Sequence, residues 1–347
     1  MTSELDISTD GRLGRIALNR PQAINALSLG MIEGIFAQLT AWQDDPAIGA
    51  IVFEGNGEKG FCAGGDVRAA RALVVGGTPE QADGYFAAEY RMNALIAGYP
   101  KPLIALTHGI VMGGGIGIAG HCAFRITQPG ARFAMPESAI GFFGDVGVNA
   151  ILAKAPLNRA LLFLMSGISV GPADALSLGL ADAVVAPERV AQLRADLAGA
   201  AASSHPADAI GRLMQAESIV ADEPSFTALC DSFAPFEPQS PAVVLRAVAD
   251  IPELSELSQL LAKRSPTSLA AVFYSQLEAR RLMQVEATLA MDLRLAKLLS
   301  RLPDFAEGVR AVLVDKDQKP AWSPQSLETL DTAPILAAVR GTRISTS

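Results

Sequence analysis

Two glycine-rich stretches carry the residue types that could do chemistry. HGIVMGGGIG (108–117) offers backbone N–H groups with no side chains in the way, and MPESAIGFFGDVG (135–147) offers two carboxylates, Glu137 and Asp145. The second stretch is too rich in glycine and proline to be one regular helix. A third small-residue loop, CAGGD (62–66), could add the Gly65 amide as a further donor. Bare amides beside a carboxylate pair suit cleavage of a thioester. The amides cradle a developing oxyanion, and the carboxylates supply acid, base or nucleophile.

Each of these residues also has a plainer structural reading. Gly113, Gly114 and Gly115 lie between an apolar strand and IGIAG. A helix beginning there would point free N–H groups outward, but glycine could equally serve close packing of helix on sheet. The spacing is neither a GxGxxG fingerprint nor a P-loop. CAGGD alone reads as a tight turn capped by Asp66, and its flanking Lys59 and Arg68 as solvated charges that could also meet phosphates. Glu137 alone would be a helix N-terminal acid, Asp145 a loop cap, and Glu89 in AAEYRMN a solvated helix face. No GxSxG accompanies His108 and His121, which read as structural. Cys62 and Cys122 read as packing residues.

The surrounding elements must place these groups. GRIALNRP (14–21) is a strand ending at a Pro turn. Ser28 should cap a helix running to about Asp44, with Met31, Ile32, Ile35, Leu39 and Trp42 at helical spacing. GAIVFEG (49–55) is a strand followed by the loop 56–66. A helix spans about Pro79 to Gly98, PLIALTHG (102–109) is a buried strand, and AFRITQ and RFAMP are strands or strand ends. Strand, loop and helix recur to about Val185, which predicts an α/β class. Residues 187–265 read as helices separated by SSHPAD, DEP and APFEPQSP, and Ser268 to Arg301 as one long helix. This predicts a core over 1–200 and a helical C-terminal region over 201–347.

At 347 residues the chain can bury a full core; it is 50% apolar and 18% charged, as in ordinary globular proteins. A net charge of −8 without a basic tract argues against nucleic acid. Apolar runs are broken well before the ~20 residues of a membrane span. The N-terminal MTSELDISTDGRLG has no leader pattern, so the expected location is cytoplasmic. Cys62, Cys122 and Cys230 suggest reduced thiols, with neither a disulfide framework nor zinc spacing.

These pieces, in this order, resemble the crotonase (enoyl-CoA hydratase/isomerase) superfamily. The carriers are LNRPQAINALS (18–28), GEKGFCAGGD (57–66), HGIVMGGGIG and AMPESAIG (134–141). The resemblance implies a spiral of ββα units, an acyl-CoA substrate and a thioester oxygen held by two backbone amides, here Gly65 and Gly114. Within the superfamily the chain is most similar to the 3-hydroxyisobutyryl-CoA hydrolases. Gly117 stands where hydratases carry a second glutamate. Asp145 lies eight positions after Glu137 in a GDVG turn, and Glu89 opens an EY-x-x-N segment. RSPTSL (264–269) and DFAEGVRAVLVDKDQKPAW (304–322) match the hydrolase tail. The implied reaction is hydrolysis of a short 3-hydroxyacyl-CoA. Glu137, Asp145, Gly65 and Gly114 would be catalytic, and Glu89, Ala63, Asp66 and Arg68 would join them in binding substrate. A hydratase or isomerase, or a non-catalytic acyl-CoA-binding protein, are the rival readings. No metal or redox cofactor is implied, coenzyme A being part of the substrate, and a homo-oligomer is compatible. Gly144 replaces the family's proline before Asp145, which predicts a looser turn there.

Overall fold

The computed structural model describes residues 3–232 and 237–342; within the separator APFEPQSP, residues 234–236 lie outside the described residues. By internal contacts the chain forms two compact units, one of Met1–Gly65, Arg91–Phe133 and Ser169–Pro224, the other of Asp66–Tyr90, Ala134–Ile168 and Ser225–Ser347. The division is interleaved along the chain, where the sequence reading places one cut at residue 200.

The first unit is built on parallel sheet. β1 (Leu5–Asp10) pairs antiparallel with β2 (Leu13–Leu18). α1 (Leu29–Gln43) follows, capped by Ser28, whose hydroxyl accepts from Met31 N at 3.2 Å. Its buried face is Met31, Ile32, Ile35, Leu39 and Trp42, the set that helical spacing selects. β3 (Ala50–Gly55) is buried on both faces, as its nearly unbroken apolar run requires of a central parallel strand. The segment read as loop contains a short strand, β4 (Gly60–Cys62). α2 (Val67–Val75), which belongs to the second unit, and α3 (Pro79–Ala97), which belongs to it up to Tyr90, come next along the chain. After them run β5 (Leu103–Thr107), β6 (Ile110–Met112), α4 (Gly114–Ala119), β7 (Phe124–Thr127) and β8 (Arg132–Ala134).

β1, β2, β3, β5, β7 and a final β9 (Ala183–Val184) form one sheet in that order, and β4, β6 and β8 form another. The chain therefore repeats a step: a long strand, a short strand in the second sheet, then helix. This is the ββα spiral that the sequence implies. α8 (Val190–Ala201) and α9 (Pro206–Glu217) cover one sheet face, where Leu193, Leu197 and Ile210 meet Val52, Ile104 and Leu106.

The second unit is mainly helical. It holds α5 (Val148–Leu152), α6 (Leu157–Ser166), α10 (Ser225–Asp231), α11 (Pro241–Ala249) and α12 (Ser255–Leu261). α13 (Pro266–Leu282), α14 (Val285–Leu299), α15 (Pro303–Val309) and α16 (Ala333–Arg340) complete it; α7 (Pro172–Leu178) belongs to the first unit. The long helix expected over 268–301 is two helices. Met283 turns left-handed at φ 51° and donates its N–H to Ala279 O at 2.9 Å, ending α13; Gln284 is extended and restarts α14. No glycine or proline marks the break, so periodicity alone runs through it.

A left-handed residue with a side chain is strained relative to glycine, and Met283 is 59% exposed, so little packing is lost by removing it. Met283→Gly should stabilise the protein by about 1 kcal/mol, part of the relief being offset by added freedom of the unfolded chain. Chemical denaturation of the two proteins would show it, and a lower midpoint for the variant would contradict it.

Candidate active site

The two glycine loops come together inside the first unit. β4 and β6 pair in parallel, with Gly60 opposite Ile110 and Cys62 opposite Val111. Their C-terminal ends therefore emerge side by side, one leading to Gly65 and the other to Gly114. An added Cβ on Gly64 would lie 3.3 Å from Met112 O and 3.6 Å from Gly114 N. Gly113 turns at φ 48°, ψ −120°, a conformation essentially reserved to glycine, and so starts α4 without a side chain over the loop. Among the described residues no hydrogen-bond acceptor within the protein takes the N–H of Gly65 or of Gly114. Both amides are free to meet an oxygen.

The LNRPQAINALS segment holds this loop in place. Asn25 is fully buried and its Nδ2 donates to the carbonyls of Asn56, Gly60 and Phe61 at 3.0–3.2 Å. Ala63 N donates to Ile24 O at 2.9 Å and Leu27 N to Gly64 O at 2.8 Å. His108 Nε2 contacts Gly57 O at 2.8 Å, in keeping with a structural histidine. Cys62 is buried against Asn25 O, and burial pushes the Cys122 thiol far up, so neither is a ready nucleophile.

The acids come together inside the second unit. On α3 the buried positions Ala82, Tyr85, Phe86, Glu89 and Tyr90 form one helical stripe, so Glu89 faces inward at 3% exposure and is not on a solvated face. Pro136 starts a 3-10 turn, Pro136–Ile140, with Glu137 in its first turn at 8% exposure. The two phenylalanines of FFGDVG precede the acid, and the first of them anchors the turn. Phe142 stacks on Phe86 at 5.3 Å between ring centroids and packs on Phe305 at 5.4 Å. Asp145 is 6% exposed, and Tyr90 Oη donates to its Oδ2 at 2.6 Å. The turn is not loose. Gly144 lies so close to Leu164 that a Cβ would meet its Cδ2 at 2.7 Å, and Asn149 Nδ2 holds Gly144 O at 2.7 Å.

Burial and mutual repulsion set the charges. Glu89 is pushed up from 4.5 to about 8 by burial and then by Asp145. Glu137 is raised well above the usual range by burial, with the charges of Asp145 and Glu89 adding to it. Asp145 rises only to about 6, because the Tyr90 hydroxyl and its own backbone amide offset part of the burial. The three titrate as a group rather than as separate sites, with Asp145 the one that holds a side-chain donor, the Tyr90 hydroxyl. Oε1 of Glu89 and Oε2 of Glu137 are buried with no hydrogen-bond partner among the described residues.

Of the residues expected to bind substrate, Asp66 caps α2 through Ala69 N, Arg68 is exposed on α2 and Ala63 lies in the CAGG loop. Sequence reasoning missed Tyr90 and Asp292. Tyr90 stands next to Glu89 in the segment already singled out. Asp292 is an acid on the apolar stripe of α14, between Leu289 and Leu295, and that misplaced charge was the available signal. Among the described residues no three His, Cys, Asp or Glu side chains are grouped to hold a metal ion.

The sequence pattern of enoyl-CoA hydratase/isomerase matches residues 13–338. The chain belongs to this family. Curated relatives include the mitochondrial 3-hydroxyisobutyryl-CoA hydrolase of Xenopus tropicalis, 37% identical over 92% of this chain and 84% of that protein. The human protein of the same name is 34% identical over 94% and 85%. A carnitinyl-CoA dehydratase structure from Mycobacterium thermoresistibile has TM-score 0.89 at 30% identity, covering 99% of this chain and 98% of that one. An enoyl-CoA hydratase from Rhodobacter sphaeroides has TM-score 0.88 at 31% identity, covering 98% of each. The mixed α/β architecture is thus the family fold. The relatives' names place them in mitochondria and lend no support to a cytoplasmic location; among the described residues no helix is long and apolar enough to cross a membrane.

The raised Glu89 acid has a consequence for stability. Below pH 4.5 both folded and unfolded forms keep its proton, and above about 8 both lose it. Between these limits the unfolded form ionises more, so stability falls as pH rises through the window. Glu89→Gln should flatten this decline, measured as unfolding free energy at several pH values. An unchanged slope would show that Glu89 titrates normally.

Proposed function

We propose that this chain hydrolyses a short 3-hydroxyacyl-CoA thioester, with 3-hydroxyisobutyryl-CoA as the leading substrate, to the free acid and coenzyme A. The observation that carries this reading is likeness to hydrolases of that name over more than nine-tenths of the chain. The acid set agrees with it: Glu137 and Asp145 are present, while position 117 is a buried glycine in α4.

In this scheme the Gly65 and Gly114 amides receive the thioester oxygen and stabilise the oxyanion, the largest contribution in such sites. Two routes then meet the chemistry. In one, a Glu137 oxygen bonds to the carbonyl carbon, the carbon–sulfur bond breaks with the electron pair leaving on the coenzyme A sulfur, and water hydrolyses the resulting anhydride. In the other, the ionised Glu137 takes a proton from water as the water oxygen bonds to the carbonyl carbon; the carbon–sulfur bond then breaks with its electron pair leaving on the coenzyme A sulfur, which receives the proton. Oxygen-18 from labelled water entering Glu137 in a single turnover distinguishes the first. Asp145, held by the Tyr90 hydroxyl, orients the acyl hydroxyl or the water. Glu89 assists at the acyl end, its unpartnered oxygen being suited to a hydroxyl donor. The scheme requires no metal or redox cofactor, and coenzyme A enters as part of the substrate.

The rival is addition or loss of water at an enoyl-CoA, which the names of the two similar structures favour. Water addition to an enoyl group calls for two carboxylates working together, and glycine at 117 lacks the second one that the resemblance leads one to expect. A panel of acyl-CoAs decides between them. Free thiol should appear from 3-hydroxyisobutyryl-CoA or 3-hydroxypropionyl-CoA, with little hydration of crotonyl-CoA. Efficient hydration without thiol release would overturn the hydrolase reading.

Glu137→Gln should keep the fold and much of the substrate binding while turnover drops ~10²–10⁴-fold, the usual worth of one acid–base group. A folded variant with near-normal kcat would place the chemistry on other residues.

A further inference from the structure

Asp292 is a buried acid that the proposed chemistry does not use. It is 0% exposed on α14, its Oδ2 accepts from Gly147 N at 2.8 Å, and among the described residues its Oδ1 has no hydrogen-bond partner. Arg294, the nearest cation on its helix, directs its N–H groups to the carbonyls of Ala290, Ala338 and Val339. An apolar residue would pack there without the cost of burying a carboxyl group. The one contact that needs the acid is the Gly147 amide.

That amide sits in an unusual turn. Val146 has φ 52° and Gly147 φ 76°, two consecutive left-handed residues, the first β-branched and 1% exposed. A β-branched side chain opposes this conformation strongly, so surrounding contacts must impose it. Hydrogen bonds that hold it include Asn149 Nδ2 on Gly144 O at 2.7 Å, Val148 N on Asp145 O at 3.0 Å, and Gly147 N on Asp292. The first two are local to the turn. The third ties its backbone to α14, 145 positions along the chain. Asp145 is the residue immediately before the strained pair.

We infer that Asp292 is a positioning residue, whose carboxyl group clamps the Val146–Gly147 turn from α14 and so fixes the direction of the Asp145 carboxylate. This rests on the proposed role of Asp145. The clamp needs an acceptor, not a charge. Burial holds the Asp292 acid well above its usual range, with the Gly147 N–H and Arg294 opposing and Asp145 reinforcing the rise, which fits a neutral carboxyl group. An amide can therefore replace it.

Two readouts keep the clamp separate from the reaction: hydrogen exchange at the Gly147 amide, and thiol release from the acyl-CoA that the parent protein cleaves best. In Asp292→Ala the Gly147 amide should lose protection, and kcat should fall about 100-fold, the effect of misplacing a reacting group by about 1 Å. KM should change little, since coenzyme A binding does not depend on this turn. Asp292→Asn should restore Gly147 protection and most of the lost kcat. Adding Val146→Gly to Asp292→Ala should also recover kcat, because glycine takes the left-handed turn unaided. If Asp292→Ala does not fold, folding and turnover of the double variant sustain the inference, and its failure to fold overturns it by making Asp292 a support of the whole core. Equal losses in the alanine and asparagine variants, or parent-like kcat in the alanine variant, also overturn it. Should no acyl-CoA release thiol even with the parent protein, the hydrolase reading fails while Gly147 exchange still tests the clamp.

Discussion

Desolvation of carboxyl groups is the constraint around which the second unit is arranged. Glu89, Glu137, Asp145 and Asp292 are all nearly or wholly buried, and burial is the first cause of the upward shift in each. Hydrogen-bond donors are few, and they are unevenly shared. The Tyr90 hydroxyl goes to Asp145 and the Gly147 amide to Asp292. The Tyr90 donor favours charge on Asp145, and a charge there makes ionisation of Glu89 and Glu137 harder. Such a group is poorly suited to stabilising a fold and well suited to moving a proton, because small changes in donors redistribute it.

An apolar and aromatic frame makes this tolerable. Phe86, Phe142 and Phe305 come from three separate segments and meet in one cluster beside the acids. In the first unit a polar side chain plays the equivalent part, since Asn25 satisfies three carbonyls of the loop and strand preceding Gly65. Both devices fix irregular backbone, which secondary structure cannot do for itself.

The legible parts of the sequence were those governed by local rules. The Ser28 cap, the buried face of α1 and the apolar parallel strands follow from spacing and propensity. Glu137 and Asp145 each had a local reading, and stood out only as a carboxylate pair beside glycine-rich loops. Glu89 was harder, since an acid on a helix is usually solvated, and only its place in the stripe Ala82–Tyr85–Phe86–Tyr90 shows otherwise. The break at Met283 was not legible because no glycine or proline marks it, and the burial of Asp292 was not legible locally because it depends on the Gly147 turn, distant in sequence. The expected looseness at Gly144 failed for the same reason: Leu164, distant in sequence, fills the space beside it.

The link from Gly147 to α14 also bears on how the protein is made. The chain emerges from the ribosome in order, and the GDVG turn is synthesised long before the helix that holds it. A nascent chain can complete its parallel sheet and its glycine loops while this turn still lacks its distant partner. Contacts of such long range form late, because closing a large loop must precede any gain from the contact. Catalytic competence should thus lag behind the appearance of native-like secondary structure during refolding, with the last quarter of the chain acting as the timer.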